Sequence, residues 1–162
     1  MWKKRLVSMA MALVLAVSLL PTTAWAWSYS VDTFNELKTQ LGKGGERTIE
    51  VTGTIVVTET LVLPAEAKIT ITGGGTLKRA ASFTSGRMFR FDSSVGIYER
   101  NKARLTLENI TVDGNKVEAS DPAFSLSMNA FLTLKAGAVI QNHVNTGTYE
   151  GTVYVAGGVL TM

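Results

Sequence analysis

From Thr48 onward, hydrophobic and polar positions alternate with a period of two, and β-branched residues dominate the apolar set. Such alternation marks strands with one buried face. Ile49-Glu50-Val51-Thr52-Gly53 recurs as Ile69-Thr70-Ile71-Thr72-Gly73, with Ile55-Val56-Val57 and Leu61-Val62-Leu63 between them. That recurrence matches Ile49 to Ile69. Further apolar runs lie at Met88 to Phe91, Leu105 to Leu107, Ile110 to Val112, Phe124 to Met128, Leu132 to Leu134, Val139-Ile140 and Val153 to Val155. All these runs are short, and Gly, Asn, Asp or Ser stands at most of the breaks. One stretch has a different period. Phe34, Leu37 and Leu41 fall at i, i+3 and i+7, the spacing of a helix stripe. Thr33 and Glu36 form a capping box at its start, and Gly42 supplies a stop. A helix of this length does not persist alone, so it must pack on the strands that follow.

Short strands of this kind suit a sandwich or a solenoid. Leu105-Thr106-Leu107, Leu132-Thr133-Leu134 and Leu160-Thr161-Met162 follow one another at nearly equal steps. The step that carries Leu105 onto Leu132 also carries Val112 onto Val139 and Asn115 onto Asn142. A sandwich has no reason for this register, whereas stacked coils about 4.8 Å apart place equivalent residues over one another. The expected fold is therefore all-β, a parallel solenoid. Leu105, Leu132 and Leu160 would form one inward ladder, and Leu107, Leu134 and Met162 a second. Thr106, Thr133 and Thr161 would point outward, and Asn115 would stack on Asn142 at a turn. The step from Ile69 to Leu105 is longer than the others, which predicts a surface excursion between Lys78 and Arg104.

Charge changes its meaning along the chain. Lys3, Lys4 and Arg5, the apolar run Leu6 to Leu20, Pro21 and Ala24-Trp25-Ala26 together read as a secretory signal peptide over residues 1–26. The run is shorter than the roughly 20 apolar residues of a spanning helix, so no membrane span is expected after cleavage. The chain has 16 Lys and Arg against 13 Asp and Glu, and the signal holds three of the basic residues. The mature portion is thus formally neutral, which argues against nucleic acid as a partner. The absence of cysteine excludes disulfides and thiolate metal sites, so an exported chain must rely on burial and backbone hydrogen bonds. Residues 27–47 are expected to hold a linker and the capping helix, and 48–162 the coils, incomplete at the C-terminal end. A final apolar strand without a polar cap would leave a sheet edge open, which predicts self-association.

The mature chain from about residue 30 resembles the start of a right-handed parallel β-helix of the pectate-lyase-like superfamily. The resemblance rests on the amphipathic stretch Val31 to Leu41, on Ile69 to Gly75, and on the run Leu105 to Asn115. Gly151 to Met162 is similar to coils of large β-helix surface proteins of Gram-positive bacteria. The signal peptide resembles those of exported proteins from the same organisms. That likeness implies a secreted or cell-surface location.

In the superfamily's enzymes, lyases bind calcium through clustered acids and use an arginine base, while hydrolases use aspartates with a His-containing motif. Neither set maps here. Asp92, Asp113 and Asp121 are separated, and sugar hydrolysis needs two carboxylates facing one bond. Asp113, in Val112-Asp113-Gly114-Asn115, reads as a turn residue, and the single histidine, His143, has no second metal ligand beside it. Gly73-Gly74-Gly75 lacks the ending of a phosphate loop. Asn109-Ile110-Thr111 matches a glycosylation sequon but lies between strands. No catalytic residue, metal or cofactor is therefore expected. Between Lys78 and Arg104, seven basic residues stand against two acidic ones. Arg87, Arg90, Arg100 and Arg104 are the ligand-binding candidates, since forked guanidinium groups suit the carboxylates of acidic polysaccharides or cell-wall polymers. The expected function is non-catalytic, an adhesion scaffold that binds carbohydrate or protein. The alternative is a polysaccharide lyase or glycoside hydrolase with catalytic coils beyond residue 162.

Overall fold

The computed structural model describes residues 27–92, 102–127, 129–148 and 151–162. The expected signal peptide (residues 1–26), Met128 at the end of its strand run, and Arg100 lie outside them. The described residues form parallel β-sheets with one α-helix. A six-stranded sheet contains, in spatial order, β1 (Trp27–Val31), β2 (Glu46–Val51), β5 (Lys68–Thr72), β8 (Arg104–Leu107), β12 (Phe131–Leu134) and β16 (Val159–Thr161). A second sheet has β3 (Thr54–Val57), β6 (Thr76–Arg79), β9 (Ile110–Asp113) and β13 (Ala138–Gln141). A third has β4 (Leu61–Leu63), β7 (Phe89–Phe91), β11 (Phe124–Leu126) and β15 (Val153–Val155). The short strands β10 (Glu118–Ala119) and β14 (Val144–Asn145) pair with each other. From β2 onward the chain visits the first, second and third sheets in turn and then returns to the first.

Parallel sheets covered on both faces give unbroken apolar runs. Here most strands turn one face to a shared core and the other outward, so the period of two survives in the sequence, while β11 is buried on both faces. In β5, Ile69 and Ile71 are buried while Lys68 is exposed. The aliphatic ladder is present: Ile69 pairs with Leu105, Leu105 with Leu132, and Leu132 with Leu160. Beside it run Ile71, Leu107 and Leu134. Met162, expected to extend this second row, is instead 89% exposed, past the last pair of β16. On the outer face Thr48, Thr70, Thr106, Thr133 and Thr161 form a continuous column. In the third sheet the rings of Phe89 and Phe124 stack with centroids 5.0 Å apart and planes within 3°. Such pairs add about 0.5–1.5 kcal/mol beyond area burial.

Two register expectations are corrected. Ile49 pairs with Ile71, and Ile69 pairs with Arg47. A shift of two leaves every side chain on its own face, so matching Ile49 to Ile69 has the right parity and the wrong partner. Val112 pairs with Ile140 rather than Val139, which is 43% exposed. The bend after Leu134 holds Lys135, Ala136 and Gly137, one residue more than the Glu108-Asn109 bend below it. Gly137, at φ +75°, absorbs the extra residue. In consequence Asn115 and Asn142 do not stack. Asn115 Nδ2 donates to the Arg79 carbonyl (3.2 Å), and Asn142 Nδ2 to Asp113 Oδ1 (3.2 Å).

The helix α1 (Phe34–Gly42) forms where expected and packs against β1, β3 and β4. Leu37 and Leu41 are buried, and Thr33 Oγ1 accepts from the Glu36 amide (3.3 Å). The Glu36 carboxylate accepts in return from the Asp32 amide (3.3 Å). No helix among the described residues is long and apolar enough to cross a membrane.

Candidate functional site

Three successive entries into the third sheet build a cleft of about 190 Å³, lined by Thr60, Gly86, Arg87, Arg90 and Asp121. Thr60 precedes β4, Gly86 and Arg87 precede β7, and Asp121 precedes β11. Parallel pairing of Leu61 and of Phe124 with Phe89 brings these bends together. The Leu61 amide donates to the Met88 carbonyl (2.8 Å), and the Phe89 amide to the Ala123 carbonyl (2.9 Å). Arg90 sits at the middle of β7, on the face turned away from the core.

Arg79 sets the shape of the loop that carries Arg87. It ends β6 at an inward position and is only 2% exposed. Its Nη1 donates to the carbonyls of Phe83 (2.9 Å) and Gly86 (3.2 Å), and Nη2 donates again to Gly86 (3.2 Å). The guanidinium also lies 4.5 Å from the Phe83 ring centroid. On the other side of the same residue, the Gly86 amide donates to Asp121 Oδ2 (3.0 Å), which also accepts from Ser120 Oγ (3.0 Å). Gly86 has φ +90°, and a Cβ there would stand 3.2 Å from Phe83 Cε2 and Thr60 Oγ1. Burial lowers the Arg79 pKa from its ordinary value, and the charge of Asp121 opposes that shift. Arginine nonetheless stays protonated in proteins.

Arg87 and Arg90 are placed differently. Neither guanidinium has a hydrogen bond or ion pair among the described residues. Arg87 Nε is inaccessible to solvent and has no partner there. A buried donor without an acceptor costs about 1–3 kcal/mol. Both arginines line the cleft together with Thr60 and the carboxylate of Asp121.

The structure thus joins two of the four candidate arginines and separates a third, while Arg100 is outside the described residues. Arg104 starts β8 on the first sheet, with its guanidinium 4.0 Å from the Phe131 ring centroid. It borders a different groove with Glu46, Lys68, Thr70 and Thr106. Lys68 and Glu46 pair there at 3.5 Å, both well exposed. The segment from Lys78 to Arg104 is accordingly not one solvated excursion, since Lys78-Arg79, Phe89–Phe91 and Arg104 belong to strands.

Asp113 and His143 meet in a second polar cluster. Asp113 accepts from the Asn115 amide (2.6 Å), Gln141 Nε2 (3.2 Å) and Asn142 Nδ2 (3.2 Å). Partial burial raises its pKa, but these donors and Lys78 outweigh that and hold it below the ordinary value. His143 Nε2 lies 3.4 Å from the Val112 carbonyl. Desolvation lowers the His143 pKa, helped by Arg79 and opposed by the Val112 carbonyl and Asp113. Among the described residues no three His, Cys, Asp or Glu side chains come together as a metal site. Comparison with protein-family models, curated proteins and solved structures finds no match to this chain.

Proposed function

We propose that this chain is part of a secreted or cell-surface right-handed parallel β-helix of the pectate-lyase-like kind, working as a non-catalytic scaffold. Its ligands are acidic polysaccharides or cell-wall polymers, held by single carboxylates in the Arg87 and Arg90 cleft. The strand order supports the fold reading: the chain cycles through three parallel sheets, and equivalent residues pair at each return. The signal-like residues 1–26 support export. One observation carries the binding reading: two guanidinium groups that form no ion pair among the described residues share one cleft, and one has a buried, unsatisfied Nε. A carboxylate satisfies such donors through charge-assisted hydrogen bonds.

The test is affinity for polygalacturonate, measured with the purified chain at low and moderate salt. Replacing Arg87 and Arg90 together by Ala is expected to weaken binding about tenfold or more, as loss of bonds to a charged group implies. Arg104→Ala, on another sheet, is expected to change it less than twofold. Wild-type affinity in the double variant, with unchanged circular dichroism, would refute the assignment.

A further inference from the structure

The cleft contains a carboxylate as well as two cations, and this restricts what it accepts. Asp121 Oδ2 is occupied by the Gly86 amide and the Ser120 hydroxyl, whereas Oδ1 has no hydrogen-bond partner among the described residues. Asp121 lines the cleft with Arg87 and Arg90, yet no ion pair joins them. A ligand must therefore bring an acceptor to the arginines and a donor to Asp121. A bare oxyanion meets only the first demand and is repelled by the second. The volume of about 190 Å³ is below the roughly 300–1,000 Å³ that encloses drug-sized ligands, so the recognised unit is small.

We infer that the cleft selects a carboxylate with a hydroxyl one or two carbons away, as in lactate or a terminal uronic acid, with the carboxylate on Arg87 and Arg90 and the hydroxyl donating to Asp121 Oδ1. Thr60, on the same wall, offers a further hydroxyl within the lining. The inference rests on the proposed carboxylate reading and adds selectivity to it. A hydroxyl donated to the carboxylate adds a charge-assisted hydrogen bond that an acid without it cannot form, and that difference separates otherwise equal acids.

Lactate and propionate differ by this one hydroxyl, and sulfate is an anion without a carbon-borne donor. Their binding to the full chain is measured by NMR titration, following the Gly86 and Asp121 amides, in wild type and in the Arg87→Ala, Arg90→Ala double variant. The expected result is lactate binding about tenfold tighter than propionate or sulfate, with all three lost in the double variant. Equal affinity for lactate and propionate, both lost in the double variant, overturns the hydroxyl selection and leaves the carboxylate reading standing. Sulfate binding as tightly as lactate also overturns the selection. Absence of binding by any of the three, or binding that survives in the double variant, overturns both.

Discussion

Arg79 ends the alternating run Leu77-Lys78-Arg79, and parity puts it inside with Leu77 while Lys78 points out. Its charge is spread over two carbonyls and an aromatic face, so it stiffens the loop between β6 and β7. Arg79→Met removes the bonds to Phe83 and Gly86 and should cost about 3 kcal/mol, read from urea unfolding. His143 makes a pH-dependent contribution of definite sign. Its folded pKa lies below the ordinary 6.5, so the unfolded chain binds the proton more readily. Stability should fall as the pH drops from about 6.5 toward that lower folded value, and be unaffected by this group well above pH 6.5. His143→Gln is expected to flatten the slope, seen as a smaller difference in Tm between about pH 7.5 and about pH 5.5. Asp113 acts in a more acidic window. Its pKa is held below the ordinary 3.8, so its contribution is present above that pH and lost beneath it. At this scale the sequence discloses residue types better than residue company. Arg87 and Arg90 are legible as candidates from local charge, but Asp121 and Thr60 reach the cleft from bends on neighbouring visits to the third sheet. Only pairing brings them there.

Helix α1 is legible because its spacing of three and four residues stands apart from the period of two around it. Its buried leucines close one end of the core, where Leu37 and Leu41 meet strands that the sheet pairing leaves uncovered. Leu41→Ala should cost about 2–5 kcal/mol and Thr33→Ala about 1 kcal/mol, both measurable by thermal or urea unfolding. The strands are equally legible, and their register is less so. Identity of residue type rewards placing Ile69 over Ile49, while geometry chooses Ile71. Parity is preserved by any even shift, so alternation alone cannot distinguish them. The spacing that joins Leu107 to Leu134 grows by one before Ile110 meets Ala138, and a single insertion of that kind is invisible to matching at a fixed step.

Across the whole molecule, the two ends of the sheets differ. α1 covers one. At the other, β13, β15 and β16 each lie at the edge of a sheet, and Val139, Val155 and Val159 are more than two-fifths exposed. Amides and carbonyls without partners among the described residues, beside apolar side chains, invite pairing between copies of this 162-residue chain. Sedimentation of the purified chain is expected to show association that grows with concentration, and Val159→Lys to reduce it by placing charge on the edge. A wild-type monomer at every concentration would contradict this. Equal numbers of basic and acidic residues after residue 26, legible from composition, leave little long-range repulsion to oppose such contact.

Corners and strands tolerate change differently. Ile49, Ile71, Leu107 and Leu134 occupy one row of the first sheet although the chain between successive members varies widely in length, and the aliphatic interior stays aligned throughout. Length is thus tolerated at the corners and forbidden along the strands. Genetic insertions should accumulate at corners whose backbone is not bonded to the coil below, letting the periphery diversify under selection while the interior remains fixed. The same corners are where an engineer would graft a foreign epitope.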